Sequence, residues 1–348
     1  MRRAARRACR APVARGLSLV ELMIGLVLGL FTVAVMGMMY LGTRSTFQAQ
    51  ESGTRLQENG RYAVEALAND IRMSGFRGCQ RDDAVDNTLN TPTALLYNFG
   101  QPIWGSRNLG SWTPALPAPA DALGAHPQGD VLVVRRPSGQ GWALIGQMAS
   151  AGAELTISAT TGFARGDLLM VADCGGASVL QATNAGPGAA GSIAHEAGAA
   201  GLVPGVASSN LARAYAHDAR VWRMQTLIYY LAESQRRLGE NALWVYANPV
   251  YDGGAQRREL VTGVERLAVT YGVDTDGDLS ADRYRSANEV ANWAQVVNAR
   301  VELLLVGGSD SKTTLEQPYV FGGETFTPHD GRPRTVMSTL VSLRNVLP

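Results

Sequence analysis

Residues 17–42 read LSLVELMIGLVLGLFTVAVMGMMYLG. An apolar run of this length crosses a bilayer core as one helix, which takes ~20 residues. Its single charged residue is Glu21, near the start. A carboxylate inside such a segment is costly and points to function. Before the run, residues 1–16 carry Arg2, Arg3, Arg6, Arg7, Arg10 and Arg15 and no acid. By the positive-inside rule the N-terminus stays cytoplasmic and the body is exported. Two ordinary readings compete: a cleaved secretory signal, whose small-residue site is unconvincing here, and a plain single-span anchor. Neither accounts for Glu21.

The octapeptide Arg15-Gly16-Leu17-Ser18-Leu19-Val20-Glu21-Leu22 resembles the type IV prepilin signature. The resemblance implies that a prepilin peptidase cuts after Gly16 on the cytoplasmic side and N-methylates the new terminus, Leu17. It also makes Glu21 the family's register glutamate. A buried carboxylate needs a partner, and a neighbouring subunit's α-amino group at Leu17 is the natural one. Gly25, Gly29, Gly37 and Gly42 interrupt the apolar run. Small residues allow close helix approach in lipid.

Beyond the run, Leu56, Gly60, Ala63, Leu67, Ile71 and Ser74 recur at spacings of four and three. That stripe predicts an amphipathic continuation of the helix, with Arg55, Glu58, Arg61, Glu65 and Asp70 on the polar face. A helix from Leu17 to Phe76 is roughly 90 Å long at 1.5 Å per residue. The expected organisation is a leader (1–16), a membrane and fibre-core helix (17–43), its amphipathic continuation (44–78) and a head (79–348). The fold class is α+β and pilin-like, a long N-terminal helix packed on an antiparallel β-rich head.

Within the head, strands are expected at 130–136, 142–148, 154–159, 167–172, 178–182, 218–231, 242–246, 266–272, 296–306 and 336–347, with a short helix over 287–293. The stretches 100–129, rich in proline, and 184–210, rich in glycine and alanine, read as loops.

The full chain of 348 residues has net charge +1. Losing the six leader arginines leaves 25 basic against 30 acidic residues, a charge of −5. A mildly acidic body does not attract phosphate backbones, so no nucleic-acid partner is expected. Cys9 leaves with the leader, so Cys79 and Cys174 remain in the exported body. An even pair in an oxidising compartment predicts a disulfide, with two separate thiols as the alternative. The four histidines, His126, His195, His217 and His329, show no metal-ligand spacing, and no nucleophile elbow is visible, so the reading is not an enzyme.

Residues 274–282 read DTDGDLSAD, placing Asp274, Asp276, Asp278, Ser280 and Asp282 at alternate positions. Hard oxygen donors in that pattern suit Ca²⁺. Glycine falls at the fourth position and Arg285 at the twelfth, so the loop is not an EF-hand. Two readings stay open: a short Asp-rich Ca²⁺ loop and an Asx-stabilised turn.

The C-terminal half carries a second resemblance. Residues 260–267 (LVTGVERL), 269–274 (VTYGVD), Arg283-Tyr284, Trp293, 296–305 and 343–348 (LRNVLP) are similar to the PilW family of type IV pilus assembly proteins. Residues 74–79 (SGFRGC) and Asp173-Cys174 fit the same pattern, and Leu279 stands where that family often has another glycine. The resemblance implies a low-abundance minor pilin. Such a subunit joins other minor pilins in a tip complex that primes assembly and caps the fibre above the major pilin. It implies an inner-membrane anchor with a periplasmic head before assembly. The alternatives are a tip adhesin and a J-type minor pseudopilin of type II secretion, which the family resembles.

Overall fold

The structure is a computed structural model that describes residues 16–79, 84–158, 162–251, 253–308 and 318–345. Of the expected leader only Gly16 lies among them; Cys9, the leader arginines and the last three residues lie outside. The chain divides into two compact units, Met1–Glu51 and Ser52–Pro348.

Helix α1 (Leu19–Met73) starts two residues after, and ends three before, the limits expected from periodicity. Its first part belongs to the first unit. There an 18-residue window has mean hydropathy 2.4 and no buried side chain, and it is long and apolar enough to cross a membrane. A Cβ built on Gly25, Gly29, Gly37 or Gly42 meets nothing within 4 Å among the described residues, so no close approach there requires a glycine.

In the second unit the chain runs through β1 (Asp86–Asn87), β2 (Ile103–Asn108), β3 (Trp112–Thr113), β4 (Val131–Ala143), β5 (Leu155–Thr156), β6 (Leu168–Asp173), β7 (Gly176–Gln181) and β8 (Ser192–Ile193). It continues through β9 (Arg220–Glu233), β10 (Asn241–Asn248), β11 (Arg257–Thr262), β12 (Val264–Val273), β13 (Arg283–Ser286), β14 (Val296–Val306), β15 (Tyr319–Phe321), β16 (Glu324–Phe326) and β17 (Arg334–Ser342). The large sheet has the order β1-β7-β6-β9-β4-β2-β3, with β10 paired to β9 and β11 to β10. A smaller sheet has the order β13-β12-β14-β17. Pairing is antiparallel except where β1 meets β7.

The stripe on α1 does what its spacing predicts. Leu56, Ala63, Leu67, Ile71 and Ser74 are buried, and the first four share one core with Leu132, Leu227 and Tyr229 of the large sheet and Val269, Val301 and Leu303 of the small one. At Gly60 the helix approaches β17 closely: a Cβ there would lie 2.9 Å from Met337 Cγ. Strand β9 is covered on both faces. Leu227, Tyr229 and Leu231 face α1, while Ile228, Tyr230 and Ala232 join a second core with Trp104 and Trp244. Alternate residues of a strand point to opposite faces, so a strand covered on both reads as the continuous apolar run seen here.

Several expectations are corrected. Asp70 was placed on the polar face but is buried, 7% exposed. It follows Leu67 by three residues and so shares that residue's side of the helix. Residues 142–148 are not a separate strand: β4 passes through a bulge between Ser138 and Trp142, stays paired to β9 and ends at Ala143. The loop expected at 100–129 holds β2, whose Ile103, Trp104, Gly105 and Ser106 are buried beside β4. Residues 287–293 form two 3₁₀ turns, Ala287–Glu289 and Trp293–Gln295, and no α-helix.

Candidate functional site

The expected processing site stands at the start of α1. Gly16 and Leu17 are exposed, Leu17 at 74%, and the helix begins at Leu19. Ser18 caps that start. Its Oγ accepts the Glu21 N–H at 3.1 Å, and its own N–H donates to Glu21 Oε2 at 3.4 Å. This Ser-x-x-Glu reciprocity satisfies two donors that a helix start leaves without partners. Glu21 is therefore engaged within its own chain. The Ser-x-x-Glu spacing is visible in the sequence, but it lies inside the prepilin-like motif, where the glutamate's expected partner is a neighbouring subunit.

The end of α1 is secured from three directions. The Asn345 amide donates to the Arg72 and Ser74 carbonyls at 3.0 and 3.1 Å, filling two acceptors a helix end leaves free. Phe76 packs edge-on against Trp222, ring centroids 5.1 Å apart. Cys79 is disulfide-bonded to Cys174 in the β6–β7 turn, with Cα atoms 4.8 Å apart. The expected disulfide is present and ties the segment after the helix to the large sheet.

Asp70 supplies a fourth tie. Arg136 Nε of β4 sits 2.6 Å from its Oδ1, and the Tyr229 hydroxyl of β9 donates to its Oδ2. Burial pushes the Asp70 carboxyl above its ordinary value, although Arg136 and the Tyr229 hydrogen bond pull it down. A neighbouring buried residue, Arg135, donates to the carbonyls of Leu95 and Gln101 at 2.6–3.1 Å and holds the strandless stretch before β2. Its burial lowers the guanidinium pKa to about 9. Sequence reading missed it because nothing in an Arg-Arg pair says which side chain turns inward.

The carboxylate loop connects β12 to β13. Asp274, Asp276 and Asp282 each bring one carboxylate oxygen to within 4.8 Å of the others and are the residues placed to hold a hard cation. Asp278 and Ser280 do not join them: Asp278 Oδ1 accepts the Ser280 N–H at 2.8 Å. Asp274 accepts the N–H groups of Gly277 and Leu279 at 2.7 and 2.8 Å, and Asp282 Oδ2 accepts the hydroxyl and N–H of Thr275 at 2.6 and 2.7 Å. Burial raises the Asp274 carboxyl, but the donors of Gly277 and Leu279 outweigh it and hold the pKa below the ordinary range. The Thr275 donors do the same for Asp282. Leu279 takes φ 69°, a conformation that favours glycine. The loop thus keeps a glycine-type turn with a leucine in it.

Residues 228–345 match the family model of Type IV Pilus-assembly protein W, PilW. This C-terminal part of the chain is PilW-like. The PilW match starts within β9 and takes in β10 to β17, the carboxylate loop and Asn345, so it contains the small sheet on which α1 lies. It leaves out α1 itself and the disulfide. Among solved structures, a type IV-like pilin from Thermus thermophilus is similar over 84% of this chain and 97% of its own, at 12% identity and a TM-score of 0.34. No curated protein matches the chain.

Proposed function

We propose that this PilW-like chain is a minor pilin of type IV pilus assembly, a structural subunit that primes and caps the fibre in a tip complex with other minor pilins. The observation that carries this reading is α1 itself. Its first part exposes a largely apolar surface soon after Gly16-Leu17, while its second part is packed into the head. Such a surface requires lipid or neighbouring helices. In this reading the prepilin peptidase cuts after Gly16 and methylates Leu17. The helix anchors the chain in the inner membrane with the head in the periplasm. It then leaves the bilayer to join the other minor pilins and the major pilin.

Glu21 gains a defined role. Its bonds to Ser18 keep the carboxylate satisfied in a lone subunit, and the α-amino group of a neighbour's Leu17 supplies a stronger, charge-assisted partner in the fibre. Deletion of the chain should abolish or sharply reduce surface pili. Restoration with Glu21→Ala should leave the subunit in the membrane and out of sheared fibres. Normal piliation in the deletion, with adhesion alone lost, would contradict the assembly role.

A further inference from the structure

The β9–β10 hairpin turns through residues 234–240, Ser-Gln-Arg-Arg-Leu-Gly-Glu. Leu238 at its tip is 86% exposed, the highest value among the exposed large apolar side chains of the described residues. Arg236 and Arg237 beside it are exposed as well. The turn is held firmly. Ser234 Oγ donates to buried Glu259 at 2.8 Å and accepts the N–H groups of Arg236 and Arg237 at 3.1 and 3.0 Å. Glu259 also accepts the Gln235 N–H at 2.9 Å, and the Gly239 N–H goes to Glu233 at 3.1 Å. Leu238 therefore projects from a fixed turn. Arg237 lies 3.7 Å from Glu240, a long contact that leaves its guanidinium half exposed.

The tip stands at the end of the head where the chain enters it. Glu240 accepts from Arg332 at 3.0 Å, and Arg332 donates to the Gly307 carbonyl at 2.7 Å. A Cβ on Gly307 would lie 3.0 Å from Ser52 Oγ, and Ser52 is the first residue of the head unit. Only residues 43–51 separate Ser52 from the apolar run that ends at Gly42.

We infer that the 234–240 turn is a membrane-surface contact, in which Leu238 enters the headgroup layer of an anionic bilayer while Arg236 and Arg237 meet lipid phosphates. One leucine next to two arginines offers far less than the ~800 Å² per partner that a specific protein interface uses. It does suit a bilayer boundary, where an apolar side chain enters the headgroup layer and cations are drawn to anionic lipid. The contact would steady the head on the membrane before the subunit is extracted. This inference rests on the reading of α1 as a membrane anchor.

The test uses the full chain with Cys9→Ser and Leu238→Cys, carrying an environment-sensitive fluorophore, in vesicles of phosphatidylglycerol and phosphatidylcholine. Headgroup-level doxyl lipid should quench this label at least twofold more than the same label at Val203→Cys. Val203 is 79% exposed and accepts from Gln181, whose strand partner Leu168 leads into the β6 residues that pair with 220–223 of β9. That is about 30 Å along the strand from the tip. Arg236→Glu with Arg237→Glu should cut the quenching at least by half. Absent quenching at position 238 in vesicles with which the chain floats would overturn the proposal. So would equal quenching in pure phosphatidylcholine or at Val203→Cys. A chain that does not float with vesicles defeats the anchor reading, and this proposal with it, by a separate readout.

Discussion

The two parts of α1 are one continuous helix with opposite surfaces. From Leu19 to Glu51 its apolar side chains are exposed apart from half-buried Val35; Leu26 is 57% exposed. From Ser52 to Met73 it buries Leu67 and Ile71 completely against two sheets. The first part leaves its apolar surface exposed among the described residues, so its stability depends on what surrounds the molecule. The second part has its partner in the same chain. Helical propensity does not separate the two, because in proteins tertiary packing supplies most of a helix's stability. The difference lies in whether a stripe or the whole circumference is apolar.

This contrast breaks most readily at the packed part. Asp70→Ala leaves the half-buried Arg136 guanidinium and the buried Tyr229 hydroxyl without the carboxylate they share, and losing one partner of a buried pair costs at most about 3–5 kcal/mol. Leu67→Ala, at a position 0% exposed, should cost about 2–5 kcal/mol. Leu26→Ala in the exposed part should change head stability by less than ~0.5 kcal/mol. Denaturant unfolding of the full chain in detergent, followed by tryptophan fluorescence, checks all three. Equal losses for Leu67→Ala and Leu26→Ala would erase the distinction.

The disulfide sharpens the same contrast. Cys79 and Cys174 are 95 residues apart. Opening a loop of that size costs about 4–5 kcal/mol by loop entropy, with less delivered in practice. Reduction should lower the unfolding midpoint of the head and leave the helicity of the exposed part of α1 unchanged by circular dichroism.

Asp130 gives a pH signature confined to the head. It links the sheets: its carboxylate accepts the Val269 N–H at 2.8 Å, and its own N–H donates to the Leu267 carbonyl. Burial raises its pKa from 3.8 to about 6, against the Val269 donor and the Arg107 charge. Between those values the folded state binds more protons than the unfolded one. Stability therefore falls as pH rises from about 4 to 6 and is flat above. The gap corresponds to about 3 kcal/mol. Asp130→Asn should make the profile shallower, leaving the part due to Asp70, and raise stability at pH 7.

The smallest effect is expected at the carboxylate loop. Its acids are engaged by the loop's own N–H groups, and the Asx-turn reading accounts for those contacts. Calorimetry with millimolar Ca²⁺ should give no heat, and heat that Asp274→Asn removes would establish the cation site.

The main architecture was legible because it follows from spacing. The stripe from Leu56 to Ser74 located the packed part of α1, and the run at 296–306 matched β14. What escaped depends on contacts that spacing does not carry. Asp70 was assigned by residue type, although its position follows the buried side. Strand β2 was hidden because Gly105, Ser106 and Arg107 have weak strand preference. Its place is set by β4 and by Tyr271: a Cβ on Gly105 would lie 2.0 Å from the Tyr271 hydroxyl. At the proposed processing site, Gly16, Leu17 and Glu21 were readable as a motif, and the Ser18 cap emerged only from geometry.

The most direct measurement is intact and peptide mass spectrometry of the chain recovered from its native membrane. The account predicts a mature N-terminus at N-methylated Leu17. A terminus at Met1, or one created on the far side of the apolar run, would contradict it.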